Sequence, residues 1–311
     1  MNIIHISARH VSDLPCVATI GFFDGVHRGH QFLLHHVVDE AKKCGLKSMV
    51  ITFESHPRKV LHQDYQPEML STLDEKLNLL AGLGVDTCGL LRFDQQTASM
   101  SAFYFMEKVL RDQLHVRKLY IGYDNRFGHN REEGFNDYVK YGKQLGIEVI
   151  NTSVFQLQQV NVSSTVIRKM LYEGKVEEAH SCLGYPYSLT GEVVRGFQEG
   201  RRLGFPTANI DLSACEKLIP ANGAYAVLVH IEGDSRVYRG MMDIGNRPTF
   251  CGLKRSYEVN IFDFTGNIYG KRVSVSFMHF IRTEQKFESV DALKAQLEND
   301  KRVVNDKLDK D

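Results

Sequence analysis

The stretch that decides the fold is Gly21-Phe22-Phe23-Asp24-Gly25-Val26-His27-Arg28-Gly29-His30, which directly follows the apolar run 16–20. The apolar run predicts a buried strand, the Asp-Gly pair predicts a tight turn, and a helix is expected to begin near His27. His27 and His30 are three residues apart, so they would share one face of the first helical turn. Gly29 would let a ligand approach the backbone closely. Because the start of a helix favours anions, this turn predicts a phosphate site.

Two alternatives compete with the phosphate site. His27 and His30 could be ordinary polar residues at a helix start, but the strand, the turn and the glycine together favour a phosphate. A zinc site would need about three protein ligands. The sequence places no third ligand at metal spacing.

Length and composition limit the class of protein. A chain of 311 residues favours two domains. Its 38 basic and 38 acidic residues cancel, which disfavours a general nucleic-acid binder. The six cysteines are scattered without a Cys-x-x-Cys pair, and no apolar run is long enough for a signal peptide or a membrane span. We therefore expect a cytoplasmic protein that binds no nucleic acid and no membrane.

The first ~180 residues alternate short apolar runs with helical periodicity. Helices are expected around 34–41, from a capping box at 72–75, around 105–114 and over 135–145. Strands are expected at 17–22, 49–53, 89–93, 118–122 and 147–155. This alternation predicts an α/β fold with a parallel sheet covered by helices, and ligands at the carboxyl ends of its strands.

The character of the sequence changes after Tyr185-Pro186. Runs with period-two alternation predict five or six strands of a small antiparallel β-barrel. A final amphipathic helix is expected from Ser289 onward, with a charged tail that frays. The predicted domains are residues 1–184 and 185–311.

A second motif, Ser163-Ser164-Thr165-Val166-Ile167-Arg168, predicts a capped helix on which Thr165 and Arg168 share a face. Arginine binds pyrophosphate well because it is bidentate and permanently charged. Alone, the motif could be a plain cap followed by a surface arginine. Together with the histidine turn it describes adenylyl transfer, with His27 and His30 on the attacked phosphate and Arg168 on the leaving pyrophosphate.

A third group of residues lies in the β-rich half. Thr207 and Asn209 would point the same way on a strand, where their oxygens could hold Mg²⁺ beside a nucleotide. Glu258 is the candidate general base. The preceding segment is flexible and basic, suited to wrapping phosphates, through Gly196, Gly200, Arg201 and Gly204. As alternatives, these glycines could be ordinary turns and Glu258 a solvated carboxylate. No Walker motif occurs in the sequence.

The segment Gly122-Tyr123-Asp124-Asn125-Arg126-Phe127-Gly128 follows a predicted strand and could form a substrate loop, or simply a structural turn. His56, which follows another predicted strand, is interpreted as a loop histidine. Asp124 and Arg126 are the polar candidates of this loop.

With these motifs in hand, the chain resembles the bifunctional bacterial riboflavin kinase/FAD synthetase family over nearly its whole length. The resemblance rests on the histidine turn, Ser-Ser-Thr-x-Ile-Arg, and Gly-Arg-x-Leu-Gly-Phe-Pro-Thr-Ala-Asn-Ile. It continues in the segments 244–250, 258–264 and 281–287. The Pro-Thr-Ala-Asn segment is close to diagnostic, whereas the histidine turn marks a broad nucleotidyltransferase superfamily. The chain departs from the family pattern at Phe22, where asparagine is frequent, at Asn125, where an aromatic residue is common, and at Val166, where arginine is frequent.

The resemblance implies a Rossmann-like nucleotidyltransferase sheet followed by a kinase barrel with a C-terminal helix. It implies that the barrel makes FMN from riboflavin and ATP with Mg²⁺, and that the first domain makes FAD from FMN and a second ATP. The implied catalytic residues are His27, His30, Arg168 and Glu258, and the implied metal residues are Thr207 and Asn209. The implied flavin-binding residues are Asp124, Arg126 and Arg282. Nucleotide binding is implied for Gly21, Phe23, Asp24, Gly29, Ser164, Thr165, Gly196, Gly200, Arg201 and Gly204.

Two rival functions remain open at this point. The first is a nucleotidyltransferase for another phosphorylated acceptor, with a barrel that only binds ligand. The second is a non-catalytic flavin-sensing regulator. Loss of His27, His30 or Glu258 would favour the regulator, and all three are present. We expect a monomer or a weak oligomer.

Overall fold

The computed structural model describes residues 1–6, 14–56, 68–123, 125–129, 132–157, 159–196, 200, 203–249 and 252–310. The chain packs as two compact units, Met1–Ser164 and Thr165–Asp311. This division falls before the boundary predicted at residue 184. As the limit of the two functional domains, residue 184 stays a prediction.

The first unit is built on a parallel sheet, as predicted. Its strands are β1 (Asn2–Ile6), β2 (Cys16–Ile20), β3 (Lys47–Phe53), β4 (Thr87–Leu91), β5 (Val116–Ile121) and β6 (Glu148–Asn151). Their order is β1-β4-β3-β2-β5-β6, and every neighbouring pair is parallel. The chain runs outward from β2 in one direction and then returns to its other side at β5. The switch point where such sheets bind ligands therefore lies at the carboxyl end of β2.

Helices cover this sheet with their apolar faces. They are α1 (Arg28–Cys44), α2 (Leu73–Gly82), α3 (Gln95–Ser99), α4 (Ala102–Phe105), which continues as a π-helical segment (Met106–Gln113), and α5 (Phe135–Leu145). The predicted capping box is confirmed, because Thr72 Oγ1 accepts from the Glu75 N–H at 3.2 Å and Glu75 Oε2 accepts from the Thr72 N–H at 3.0 Å. A short hairpin of β7 (Gln156–Leu157) and β8 (Val160–Asn161) follows.

Two elements of the first unit differ from the expectation. The sequence analysis assigned no strand to the N-terminus, yet β1 pairs with β4 at the edge of the sheet. The strand expected at 147–155 is shorter in the structure, where β6 covers only Glu148–Asn151. An edge strand is exposed on several positions and therefore lacks a continuous apolar run.

The second unit contains α6 (Ser164–Tyr172), which begins at the last residue of the first unit, and α7 (Val176–Leu183). A closed barrel in the order β10-β13-β12-β11-β14-β9 follows. Its strands are antiparallel. They are β9 (Ser188–Val194), β10 (Ala208–Asp211), β11 (Gly223–Ile231), β12 (Val237–Thr249), β13 (Gly252–Ile261) and β14 (Arg272–Arg282). The barrel confirms the predicted class.

Hydrogen bonds explain why the helical pair packs with the barrel in the second unit. The Ala221 N–H donates to the Leu171 carbonyl at 3.0 Å. The Glu177 carboxylate accepts from the Phe280 N–H at 3.2 Å and lies 3.2 Å from Nδ1 of His279.

The last helix, α8 (Val290–Leu308), begins directly after Ser289, the residue from which the sequence predicts it, and the Ser289 side chain accepts from the Ala292 N–H. The expectation that its tail frays is wrong. Val304 and Leu308 are buried against Ala226 and Met241 on the outer face of the barrel. The charged residues of the tail lie between these apolar positions, and an amphipathic surface helix has this pattern. Among the described residues, no helix is both long and apolar enough to cross a membrane.

Candidate active sites

The turn after β2 is strained on both sides of its glycine. Gly25 has φ 75°, and the non-glycine residues Phe23 and Val26 have φ 54° and 36°. A positive φ is unusual for a bulky residue and rare for a β-branched one. Backbone strain of this kind is concentrated at functional sites, where the surrounding structure enforces it.

The carboxylate of Asp24 holds this turn in place. It is 3% exposed and accepts from the N–H groups of Leu70 and Ser71 at 3.0 and 3.2 Å. The Gly25 N–H donates to Oγ of Ser71 at 3.0 Å, and Oγ of Ser164 donates to the Asp24 carbonyl at 3.0 Å. Within the first unit, the predicted nucleotide residues Asp24 and Ser164 thus fix the backbone of the turn.

His27 and His30 come together at the start of α1, as the spacing predicts. Their rings are stacked, with centroids 3.6 Å apart and 18° between the planes. Nδ1 of His27 accepts from the His30 N–H at 3.3 Å, which leaves the ring proton of a neutral His27 on Nε2. The ring of Phe23 meets His30 edge-on, with centroids 5.1 Å apart.

The electrostatics of His30 point to a ligand. Burial, together with the neighbouring His27 and Lys76, holds the pKa of His30 well below its ordinary value. Nδ1 of His30 is buried and has no hydrogen-bond partner in the part of the chain that the structure describes. A buried polar atom without a partner is costly. An incoming phosphate oxygen would supply the missing partner.

Glycines allow this packing. A Cβ atom at Gly29 would lie 3.2 Å from both the His27 ring and the Val162 carbonyl. A Cβ atom at Gly21 would lie 3.0 Å from the Phe23 ring. Both positions are tight, so the backbone around the stacked histidines admits no larger residue without a shift of its neighbours.

Lys76 is a site residue that the sequence analysis missed. It is 4% exposed, and its ammonium group donates to the Phe22 carbonyl at 3.2 Å, to Oγ1 of Thr52 at 3.1 Å and to the Phe53 carbonyl at 3.1 Å. Burial lowers its pKa from the ordinary value to about 8. The available signal was its position four residues before the buried Leu80, which places Lys76 on the buried face of α2.

Several predicted residues of the adenylylation site remain predictions. Asp124 lies outside the described residues. Thr165 and Arg168 follow Ser164 on α6 and belong to the second unit. Asn125, one of the departures from the family pattern, donates from its side-chain amide to the Ile20 carbonyl at the end of β2. Arg126 lies in the same described loop, and its role in flavin binding stays a prediction.

The second unit brings Thr207 and Glu258 together. Oγ1 of Thr207 donates to Oε2 of Glu258 at 3.0 Å. Asn209 lies directly opposite Glu258 in the register of β10 with β13. The three side chains therefore lie on one face of the barrel wall, as the period-two alternation predicts. Because the Thr207 hydroxyl proton is directed at the carboxylate, its lone pairs are available to a cation.

The backbone of the preceding glycine-rich segment packs closely against Thr207 and Asn209. A Cβ atom at Gly196 would lie 2.5 Å from Cγ of Asn209, and one at Gly200 would lie 3.3 Å from Oγ1 of Thr207. Gly204 has φ 86°, which favours glycine. Arg201 lies outside the described residues.

Arg282 is engaged within the second unit. Its Nε donates to Oδ2 of Asp300 at 2.8 Å, and Asp300 is 1% exposed. In the barrel register, Ala224 of β11 pairs with Arg282 of β14 on one side and with Asp243 of β12 on the other. Asp243 in turn pairs with Glu258 of β13. Arg282 thus shares a rung of the barrel with Glu258, while its bond to Asp300 anchors α8. Flavin binding by Arg282 stays a prediction.

Comparisons with known proteins assign both units. A family model described as FAD synthetase matches residues 10–166, and one described as riboflavin kinase matches residues 183–308. The bifunctional riboflavin kinase/FMN adenylyltransferase of Escherichia coli (strain K12) is 40% identical over 92% of this chain and 90% of its own length. The protein of the same name from Listeria monocytogenes is 37% identical over 95% of this chain and 93% of its own.

The chain belongs to the bifunctional riboflavin kinase/FMN adenylyltransferase family. It is a bifunctional transferase of flavin nucleotide biosynthesis, with the nucleotidyltransferase in its first part and the kinase in its second. The family predicted from the sequence motifs is confirmed. The crystal structure of a macrolide-efflux protein from Streptococcus pneumoniae has the same fold, with a TM-score of 0.88 at 34% identity over 98% of this chain and 99% of that chain.

Proposed function

We propose that the two activities use separate sites, one in each unit. The second unit transfers the γ-phosphoryl group of ATP to riboflavin and releases FMN and ADP. The first unit joins FMN to the adenylyl group of a second ATP and releases FAD and pyrophosphate. The observation that carries the proposal is the separation of the two side-chain groups. The stacked histidines lie in Met1–Ser164, and Thr207, Asn209 and Glu258 lie in Thr165–Asp311.

In the adenylyl transfer, His27 and His30 stabilise charge on the α-phosphate. The Nε2 proton of His27 and, in the tautomer protonated there, the Nδ1 proton of His30 can be donated to phosphate oxygens, and the N-terminus of α1 adds its dipole. That Arg168 neutralises the leaving pyrophosphate stays a prediction from the sequence motif. Each well-placed donor contributes roughly 2.7–4 kcal/mol to a transition state of this kind.

In the kinase reaction, Thr207 and Asn209 present oxygen ligands of the kind that a hard divalent cation prefers. Bound Mg²⁺ would neutralise charge on the phosphates of ATP. Glu258 accepts the proton of the ribityl hydroxyl, and its bond from Thr207 keeps the carboxylate oriented. Gly196, Gly200 and Gly204 let the phosphates approach the backbone. Positioning contributes more than the base in reactions of this type.

The ligands in this proposal are ATP, riboflavin, FMN and Mg²⁺, with no nucleic acid and no membrane. We place the protein in the cytoplasm as a monomer or weak oligomer. The described cysteines support a reducing compartment, since Cys16, Cys44, Cys88, Cys182 and Cys215 are all free thiols.

The test is incubation with riboflavin, ATP and Mg²⁺, followed by chromatographic separation of the flavins. We expect FMN first and FAD afterwards. The His30→Ala variant should stop at FMN, with FAD formation reduced about 10²–10³-fold, the cost of one lost oxyanion-type donor. FMN as the only product of the unmodified protein would contradict the adenylylation half, and the absence of any conversion would favour the flavin-sensing regulator.

A further inference from the structure

The buried ammonium group of Lys76 is not used by either proposed reaction step. Its three acceptors lie at the carboxyl ends of two central strands: the Phe22 carbonyl after β2, and Oγ1 of Thr52 and the Phe53 carbonyl at the end of β3. A lysine ammonium group has three N–H donors. All three are therefore occupied by the protein, and Lys76 has none left for a phosphate.

Burial of the Lys76 ammonium group lowers the free energy of unfolding unless other interactions compensate for the lost hydration. No carboxylate among the described residues forms an ion pair with Lys76, and a buried charge without one carries a large desolvation cost. Asp24 and Cys88 lie near enough to act on Lys76 electrostatically. The Asp24 carboxylate, however, already holds Leu70 and Ser71. A buried charged group with a perturbed pKa is a feature of functional sites.

Lys76 lies directly behind the strained turn. Its nitrogen is 4.6 Å from the centroid of the Phe22 ring, and Oγ1 of Thr52 donates to the same Phe22 carbonyl at 3.1 Å. Phe22 is followed at once by Phe23, the first residue with a positive φ. The ends of β2 and β3 are thus joined immediately before the chain enters the turn that carries the histidines.

We propose that Lys76 is a positioning residue for adenylyl transfer: its ammonium group joins the ends of β2 and β3, so that the strained turn presents His27 and His30 to the nucleotide. This inference rests on the proposed role of the two histidines. Lys76 acts through the backbone rather than on the reacting phosphate, because its donors are all used.

The charge of Lys76 also acts on His30. Two charged or titratable groups face His30, namely His27 from the start of α1 and Lys76 from α2, and both act with burial to lower its pKa. Removal of the ammonium charge should therefore raise the pKa of His30. This effect comes from the charge of Lys76 and not from its three hydrogen bonds.

The experiment compares Lys76→Met with Lys47→Met in the full chain. Lys47 is the first residue of β3, at the end of the strand opposite to the acceptors of Lys76. It is exposed, and its Nζ lies 3.2 Å from Oδ1 of Asp86, so Lys47→Met serves as the matched control. For Lys76→Met we expect kcat for FAD formation from supplied FMN to fall about 10–100-fold, the effect of a small misplacement of catalytic groups. KM for FMN and the rate of riboflavin phosphorylation should stay unchanged. Lys47→Met should alter none of these three.

A second readout does not depend on turnover. Titration of the histidine ring signals by NMR should show a higher pKa for His30 in Lys76→Met and an unchanged one in Lys47→Met. An unchanged kcat in folded Lys76→Met, or a lower melting temperature with no change in kcat, would overturn the proposal. If Lys76→Met does not fold, Thr52→Val weakens the same connection, and an unchanged kcat in that variant would overturn it as well. Full adenylyl transfer by His30→Ala would instead contradict the proposed function on which this inference rests.

Discussion

The rings of His27 and His30 lie face to face at 3.6 Å, a separation at which two positive charges would repel strongly. Burial therefore acts together with His27 and Lys76 to disfavour protonation of His30. Phosphate has the opposite influence, because an anion stabilises an imidazolium ion. Binding of the nucleotide phosphates should therefore favour protonation of the histidine pair.

A pH dependence of stability follows from the lowered pKa of His30. In the unfolded chain this histidine titrates near its ordinary value of about 6.5. Because the folded pKa is the lower one, the unfolded chain binds the extra proton as the pH falls through about 6.5, and the first unit loses stability there. Urea unfolding between pH 8 and pH 5 should show a smaller loss for His30→Asn. The exposed His36→Asn is the control, and equal slopes for both variants would contradict the assignment.

Glu258 gives a prediction for the other site. Glu258→Gln keeps the size of the side chain and can still accept from the Thr207 hydroxyl, but it cannot take up the ribityl proton. We expect the rate of FMN formation to fall about 10²-fold, the lower range for loss of a general base. FAD formation from supplied FMN should be unaffected. Both rates are measured by flavin chromatography, and a parallel loss of both would argue against two separate sites.

At the scale of elements, the β9–β10 connection depends on glycine. A Cβ atom at Gly196 would lie 2.5 Å from Cγ and 2.7 Å from Oδ1 of Asn209. Gly196→Ala should therefore displace the Asn209 amide and reduce riboflavin phosphorylation about 10²-fold, as misplaced catalytic groups do. Gly82→Ala, where nothing lies within 4 Å, is the control and should be neutral or stabilise α2 by about 1 kcal/mol. Steady-state kinase assays and thermal unfolding of both variants provide the measurement.

The sequence predicted the amphipathic helices well, but it did not predict the π-helical segment or the edge strand β1. Where one helix face is buried, as in α5 and α8, periodicity located the helix, and the side chains of Thr72 and Ser289 marked helix starts. The π-helical segment at Met106–Gln113 could not be predicted, because its apolar stripe looks like that of an α-helix. The edge strand β1 lacks the continuous apolar run that identified β2.

The candidate sites show the same division. Residues near in sequence, such as His27 and His30, could be paired from spacing, and Thr207 with Asn209 from strand alternation. The Thr207–Glu258 bond joins residues 51 positions apart, and the family resemblance rather than spacing linked them. Lys76 was missed because a helical lysine is normally solvated, and two of its three acceptors are backbone carbonyls that no sequence pattern displays.

At the scale of the whole molecule, the division into two units predicts complementation. If each reaction has its own site, His30→Ala still makes FMN and Glu258→Gln still makes FAD from FMN. A mixture of the two variants with riboflavin, ATP and Mg²⁺ should therefore produce FAD after a lag, while FMN accumulates in solution. Each variant alone, at the same total concentration, is the control. A mixture no faster than the Glu258→Gln protein alone would show that FMN does not pass between molecules.

The joint between β10 and β13 has a further consequence for biosynthesis. Its register consists of Ala208 with Val259 and Asn209 with Glu258, so the pairing of β10 with β13 is also the one that brings the proposed kinase residues together. During translation Thr207 leaves the ribosome well before Glu258. A chain made only as far as β12 consequently lacks one side of the proposed phosphoryl-transfer site, which forms only when β13 pairs with β10.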